Sequence, residues 1–244
     1  MEGKELNTTD DSGVFVHTPL FVAAAHELKS PLALVRQLAL ELESSDTMPQ
    51  SARQIANQIS LTSERALRLT TDLTKHARLE DSLFTLEPLN PVSLCDEVVE
   101  ELRPLYRAKG RELRVRQRRG SLLGLANKDL LRRIMLSFAD NALHYGNNQH
   151  PVEISVHATE GGQYLRLGVR DFGPAVPAAM HRRVDGAIGK AASTMSTRPA
   201  SSGLGVYIAR QFADAMQARI GTTRHRDGAT FYVDIHASSH LRLL

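Results

Sequence analysis

Two long stretches of helical periodicity at the start of the chain constrain its fold most. Apolar residues recur every three or four positions from Thr18 to Ser44 and again from Gln50 to Leu79. The first set is Phe21, Ala25, Leu28, Leu32, Val35, Ala39 and Leu42, and the second is Ile55, Ile59, Thr62, Ala66, Leu69 and Leu73. This spacing places each set on one face of a helix. The short segment 44–49, which contains Pro49, predicts an antiparallel helical hairpin.

Two helices that bury one stripe against each other leave little hydrophobic core. A second copy of the chain would supply more, so we predict a homodimer in which two hairpins form a four-helix bundle. We assign this domain to residues 18–82 and expect residues 1–17, of which Met1 to Asp11 are polar and acidic, to form a flexible leader.

A histidine lies at the edge of the first apolar stripe. His26 is followed by Glu27, and Ser30 stands one turn further along the same line of the helix. An imidazole with an unperturbed pKa of about 6.5 is mostly neutral at pH 7, so a ring nitrogen is available as a nucleophile. Pro31 removes a backbone hydrogen bond and predicts a kink about one turn beyond His26. A solvated histidine on an amphipathic helix explains the same pattern.

The remainder of the chain mixes helical and strand patterns and predicts an α+β sandwich over residues 83–244. The first predicted elements are an extended segment 83–92, a helix from an N-cap at Ser93 to about Ala108, a strand 112–118 and a helix 129–145. They are followed by a β-hairpin of 152–158 and 164–170, a loop 186–202, a helix 204–216 and a strand 229–236. Pro104 should kink or shorten the first of these helices.

The composition excludes several classes of protein. The single cysteine, Cys95, allows no intramolecular disulfide, and we expect that thiol to be buried. We expect a cytoplasmic protein, or alternatively the cytoplasmic part of a membrane-bound one. The sequence contains no run of about 18 apolar residues, so we expect no membrane-spanning helix in it, and no signal peptide is recognisable. The net charge is only +3. The arginines between Arg103 and Arg119 interleave with amphipathic patterns, so we interpret them as a solvated face and expect no nucleic-acid partner.

Four short segments of the second domain carry groups suited to a nucleotide. An Asn141 amide oxygen can join a Mg²⁺ shell that also holds phosphate oxygens and waters. An Asp171 carboxylate can accept from an exocyclic amine, and Gly173 allows close backbone approach. The glycines of Ser201–Gly205 open a helix, where backbone N–H groups and the helix dipole favour phosphate. Thr230 offers a hydroxyl at the start of the last strand. Each segment alone also fits a cap or a turn.

Taken together, the order of these motifs resembles the catalytic core of the sensor histidine kinases of two-component systems. Residues 25–32, Ala-His-Glu-Leu-Lys-Ser-Pro-Leu, resemble the phosphoacceptor motif of the dimerisation and phosphotransfer domain. The segments around Asn141, Asp171 and Gly203 resemble the nucleotide motifs of the Bergerat (GHKL) ATP-binding fold. The resemblance covers about residues 18–236.

The resemblance implies a role for each matched residue. His26 would accept the γ-phosphoryl group of ATP on Nε2, Glu27 would orient or deprotonate the ring, and Ser30 would assist hydrolysis of phosphoaspartate. Asn141 would hold Mg²⁺, and Asp171 would bind the adenine amine. The remaining nucleotide-binding residues would be His144, Tyr145, Gly173, Ser202, Gly203, Leu204, Gly205 and Thr230. The phosphoryl group would pass to the receiver domain of a response regulator.

Several positions depart from the family pattern. Ser137 stands where asparagine is usual, Ala175 and Ser201 replace glycines, and no phenylalanine-rich motif follows residue 175. The phosphoacceptor, the adenine aspartate and the Mg²⁺ asparagine are all kept. The sequence therefore favours a working autokinase, and the alternative is a phosphatase-biased or kinase-inactive signalling scaffold of the same fold.

Overall fold

The protein is described here as a computed structural model. The structure describes residues 18–45, 47–76, 85–116, 122–146, 150–173 and 204–238. The chain divides into two compact units, Met1–Glu80 and Asp81–Leu244. Within the described residues, no helix combines the length and the apolar character needed to cross a membrane.

The first unit is a hairpin of two long helices, as the periodicity predicts. Helix α1 spans Thr18–Ser44 and contains Pro31, and helix α2 spans Gln50–His76. The predicted end of α2 at Leu79 lies outside the described residues. Polar contacts tie the helices together: Asn57 Nδ2 donates to Glu43 Oε1 over 2.7 Å, and the Arg36 and Glu64 side chains approach to 3.7 Å.

The seam between the two helices differs from the predicted stripes. Small residues of α2 are buried, namely Ala56, Ser60, Ser63 and Thr70, together with Ala25 and Ala39 of α1. The predicted seam residues Ile55 and Ile59 are instead 59% and 40% exposed. Small side chains allow the helix backbones to approach closely, so the large apolar residues are displaced to the outside of the hairpin. The prediction that Ile55 and Ile59 of α2 pack against α1 was wrong. An apolar stripe shows that one face of a helix is buried, but it does not specify which partner buries that face.

The second unit begins with strand β1 (Glu87–Leu89) and helix α3 (Pro91–Ala108). The N-cap of α3 is Asn90, and the predicted N-cap at Ser93 was wrong. The Asn90 side chain accepts from the backbone N–H groups of Val92 and Ser93. Pro91 occupies the first helical position, where the missing N–H group of proline costs no helical hydrogen bond. The helix continues past Pro104 to Ala108, so that proline does not end it early.

One mixed sheet organises the unit. Its further strands are β2 (Leu113–Arg116), β3 (Gly124–Ala126), β4 (Val152–Thr159), β5 (Tyr164–Phe172), β6 (Arg219–His225) and β7 (Gly228–Ala237). The order is β1-β3-β7-β5-β4-β2, and β6 also pairs with β7. The pair β2–β4 is parallel, and the other described pairs are antiparallel. The predicted hairpin of β4 and β5 is confirmed; β3 and β6 have no counterpart in the sequence-based prediction.

Helices α4 (Lys128–Tyr145) and α5 (Leu204–Ala215) complete the unit. Asn127 caps α4 by accepting from Leu130 N–H over 3.1 Å. Helix α4 packs against α3, α5 and β5. The core of the unit includes Leu94, Leu102, Ile134, Phe138, Leu167, Val169, Phe212 and Val233, all at most 2% exposed. The result is an α+β fold with helices packed on a mixed sheet.

Candidate functional site

The centre of the candidate nucleotide site is a buried carboxylate near the end of β5. Asp171 is 6% exposed, and its Oδ1 accepts from the backbone N–H of Ala229 over 2.9 Å. Ala229 is also its cross-strand partner in β7. Burial raises the pKa of Asp171, while the Ala229 N–H group and the arginines Arg170 and Arg111 oppose that rise. A carboxylate fixed in this way keeps its remaining oxygen lone pairs for a donor on a ligand.

The end of β5 is fastened to the turn between β6 and β7. Arg170 donates to the backbone carbonyl of Asp171 and to the Asp227 carboxylate, and Gly173 N–H donates to the Asp227 carbonyl over 3.1 Å. Gly228 has φ 137°, and a Cβ there would lie 2.2 Å from the Asp171 carbonyl oxygen. This close approach requires glycine. The contacts therefore fix the backbone on both sides of the Asp171 carboxylate.

Helix α4 brings two polar residues to one face. Ser137 and Asn141 are four residues apart and both are half-buried, whereas Asp140 is 8% exposed. At the start of α5, a Cβ on Gly205 would lie 2.9 Å from Ser137 Oγ. The first turn of α5 thus lies against α4 one turn before Asn141. A helix N-terminus at this place offers backbone N–H groups and a favourable dipole to an anion.

Thr230 projects away from Asp171, whereas the prediction had its hydroxyl near the nucleotide site. Side chains alternate between the two faces of a strand. Ala229 pairs with Asp171 and Thr230 pairs with Arg170, so Thr230 projects from the opposite face of the sheet. Its Oγ1 lies 2.8 Å from His225 Nε2. The position facing Asp171 is therefore an alanine, which contributes a backbone N–H and no hydroxyl.

The candidate phosphoacceptor lies on α1, in the other unit. His26 is a helical residue one turn before Ser30, and its own side chain lies outside the described part of the structure. The neighbouring Ala25 is buried, whereas Glu27, Ser30 and Pro31 are exposed. This turn of α1 therefore presents a carboxylate and a hydroxyl to solvent beside the helical position of His26.

Other predicted site residues fall outside the description. Ser202 and Gly203 are among the undescribed residues, as is the predicted loop 186–202. Helices α4 and α5 include His144, Tyr145 and Leu204, but nothing is described of these three side chains. Gly173 is half-buried beside Asp171.

Sequence reasoning missed three groups that surround Asp171. These are the Ala229 N–H, the Arg170 guanidinium and a buried arginine, Arg111, in the segment before β2. Arg170 directly precedes Asp171 in an alternating strand, a pattern that places the two side chains on opposite faces and so gave no signal that the arginine charge acts on the carboxylate. Arg111 stands in a run of charged residues that carries no such signal, because its neighbours come from distant parts of the chain.

Comparisons with known proteins agree with this arrangement. The family model for "Histidine kinase-, DNA gyrase B-, and HSP90-like ATPase" matches residues 126–239. The chain is 31% identical over 210 residues to Sensor protein CutS of Streptomyces coelicolor, covering 84% of this chain and 49% of that protein. It is 29% identical over 221 residues to the swarming motility regulation sensor protein RssA of Serratia marcescens, covering 88% and 45%. The chain thus spans about half the length of these curated relatives.

Among solved structures, the fold is similar to full-length ShkA in complex with AMPPNP. The TM-score is 0.61 at 24% identity, and the match covers 91% of this chain and 46% of ShkA.

The sequence matches to the sensor proteins are much longer than residues 126–239, so they reach beyond the part that matches the ATPase family. Residues 126–239 therefore match the family of histidine kinase-, DNA gyrase B- and HSP90-like ATPases, and the chain as a whole is similar to the sensor proteins over more than four fifths of its length.

Proposed function

We propose that this chain is an ATP-dependent histidine autokinase of a two-component system. The observation that carries the proposal is the Asp171 carboxylate, which is buried, held by the Ala229 N–H and placed in a domain of an ATPase family. A carboxylate accepts from the exocyclic amine of adenine. The match to sensor proteins over 84% of the chain supports the same activity.

Mg²⁺ fits this proposal as a companion of the nucleotide. Among the described residues, no group of three or more His, Cys, Asp or Glu side chains could hold a metal ion alone. Mg²⁺ commonly keeps several waters and takes one or two protein oxygens together with substrate phosphates. The half-buried Asn141 amide fits that ligand set, and the ion would neutralise charge on the phosphates. The first turn of α5, with Gly205 against Ser137, fits the phosphate end of the nucleotide.

The reaction would transfer the γ-phosphoryl group of ATP to His26. The bond between the γ-phosphorus and the β,γ-bridging oxygen breaks, a bond from the γ-phosphorus to His26 Nε2 forms, and ADP leaves. Glu27, exposed next to His26, would orient the imidazole or take its proton. The phosphoryl group would then pass to an aspartate of a response-regulator receiver domain, with Ser30 near the reacting groups during dephosphorylation.

A homodimer belongs to the same proposal. The exposed apolar residues of the hairpin are Leu28, Leu34, Val35, Leu38, Leu40, Leu42, Ile55 and Ile59, each at least 40% exposed in the single chain. A second hairpin would remove this surface from water and complete a four-helix bundle. We further propose domain limits of 18–82 and 83–244. The leader at 1–17 and the cytoplasmic location stay predictions.

Incubation with Mg²⁺ and ATP labelled at the γ-phosphate tests the autokinase. We expect label on the wild-type chain, no label on His26→Ala and none when EDTA removes Mg²⁺. His236→Ala is the matched control, because His236 is exposed on β7 in the other unit, and it should keep the label. No label on a wild-type chain that binds ATP would refute the autokinase.

A further inference from the structure

A buried arginine lies behind the end of α4. Arg111 is 9% exposed, and its Nη1 donates to the carbonyls of Ala142 over 2.9 Å and of Leu143 over 2.6 Å. These carbonyls belong to the last turn of α4, where intrahelical donors run out: the Ala142 carbonyl also accepts from the N–H of the C-cap residue Gly146, and the Leu143 carbonyl lies beyond the regular helical pattern. A cation there also complements the negative end of the helix dipole. Arg111 thus fixes the turn that directly follows Asn141.

The space around Arg111 is shaped for a guanidinium. Gly146, which follows α4, leaves room that a side chain would fill: a Cβ there would lie 2.2 Å from Arg111 Nη2. Beside it, Tyr106 of α3 donates its hydroxyl to the Ala139 carbonyl over 2.7 Å. Two buried side chains from outside α4, Tyr106 and Arg111, therefore donate hydrogen bonds to α4 carbonyls that precede and follow Asn141 in the sequence.

Arg111 also acts on the candidate adenine carboxylate. The charged and titratable groups that interact electrostatically with Asp171 come from four elements: Arg170 from β5, Asp227 from the β6–β7 turn, Tyr106 from α3 and Arg111 from the segment before β2. Arg170 and Arg111 are the two cations among them. Of these two cations, Arg111 is the one that hydrogen-bonds to α4 within the described residues, and its charge also acts on the Asp171 carboxylate.

We propose that Arg111 is a positioning residue for the adenine end of the nucleotide, which acts by holding the last turn of α4 in place through the Ala142 and Leu143 carbonyls. This inference rests on the proposed function, since it takes ATP as the ligand. It assigns Arg111 no contact with the nucleotide.

The test is a titration of the full chain with ATP and with ADP, for wild type, Arg111→Met, Arg111→Lys and Arg114→Met. Arg111→Met should raise the dissociation constant roughly tenfold for both nucleotides, because both carry the same adenine. Arg114→Met is the control: it removes one charge three residues away, from a side chain that is 54% exposed and paired with Glu153, and should leave both constants unchanged.

The pH profile separates positioning from mere stability. Removal of a cation near Asp171 raises the pKa of that carboxyl, so ATP affinity of Arg111→Met should begin to fall at higher pH than that of wild type. Arg111→Lys keeps the charge, so its ATP affinity should begin to fall at the same pH as that of wild type, even if the lysine binds fewer carbonyls. If Arg111→Met is too unstable to titrate, the same comparison with Arg111→Gln decides the question.

Two outcomes would overturn the inference, and they are distinguishable. In the first, the wild-type chain binds ATP, and the folded Arg111 variants bind it with the same affinity and the same dependence on pH. Arg111 would then be a helix cap that affects stability alone. Absence of ATP and ADP binding by the wild-type chain would refute the proposed function itself and this inference with it.

Discussion

At the scale of single residues, Asp171 illustrates how a candidate ligand-binding group can lower the stability of the free protein. Burial raises the pKa of this carboxyl in the folded state. A carboxyl with a raised folded pKa stabilises the fold fully below its unfolded pKa of about 3.9, and that contribution is lost as the pH rises through the folded value. Above that folded value the ionised group therefore costs stability, which a bound nucleotide would offset.

The substitution Asp171→Asn tests this balance. The asparagine keeps an Oδ1 that can accept from Ala229 N–H but carries no charge. We expect ATP affinity to fall at least about tenfold. The free energy of unfolding at pH 7 should not fall, and the variant should gain on wild type between pH 4 and pH 7. Chemical denaturation across this range is the measurement. A wild-type advantage that grows with pH would contradict the direction of the pKa shift.

The contact between Gly146 and Arg111 can be measured by a double-mutant cycle. Gly146→Ala places a Cβ 2.2 Å from Arg111 Nη2 and should lower the free energy of unfolding by about 1–3 kcal/mol. The loss should be smaller in an Arg111→Met background, because the guanidinium is gone. Equal losses in both backgrounds would mean that the methyl group clashes only with the Ala142 carbonyl, which also lies close.

At the scale of elements, the start of α3 is capped by Asn90 in the structure and not by the predicted Ser93. Asn90→Ala removes the acceptor of two backbone N–H groups and should cost about 1 kcal/mol of stability. Ser93→Ala is the control, since its exposed side chain caps nothing in the structure, and it should change stability by less than about 0.5 kcal/mol. Thermal or chemical unfolding of the two variants gives the comparison, and the reverse ranking would restore Ser93 as the cap.

The sequence predicted elements well where periodicity is long and poorly where tertiary contacts decide. Helices α1 and α4 and the β4–β5 hairpin follow from patterns of eight or more residues. Strand β3 has three residues, which is too short for a pattern. Strand β6 is mostly polar and contains Gly221, where a Cβ would lie 2.5 Å from the Tyr232 hydroxyl oxygen. That glycine reflects a cross-strand neighbour, which local sequence does not reveal.

The candidate site was predictable to a similar extent. Motif order identified Asn141, Asp171 and Gly205, because each resembles a family motif. The placement of Thr230 failed because a single residue of register decides which face of β7 a side chain occupies. Arg111 carried no motif, and its importance comes from carbonyls more than 30 positions away in the chain.

At the scale of the whole molecule, the exposed apolar residues of the hairpin predict association. Ile59→Glu introduces a charge into a side-chain position that is 40% exposed in the single chain and would be buried in a four-helix bundle. We expect sedimentation velocity to show a weakened or absent dimer. Leu122→Glu is the control, because Leu122 is 37% exposed in the other unit. A wild-type monomer, or a dimer that Ile59→Glu leaves intact, would refute the predicted interface.

The central claim is that ATP phosphorylates the imidazole of His26, and the most direct measurement locates the phosphoryl group. After reaction with Mg²⁺ and ATP, peptide mapping by mass spectrometry should find the phosphoryl group on His26, acid-labile and base-stable, and absent from Asn141→Ala. Ser30, exposed one helical turn away, is the informative competitor. A phosphoryl group that survives acid and maps to Ser30, or one that maps outside α1, would contradict the account.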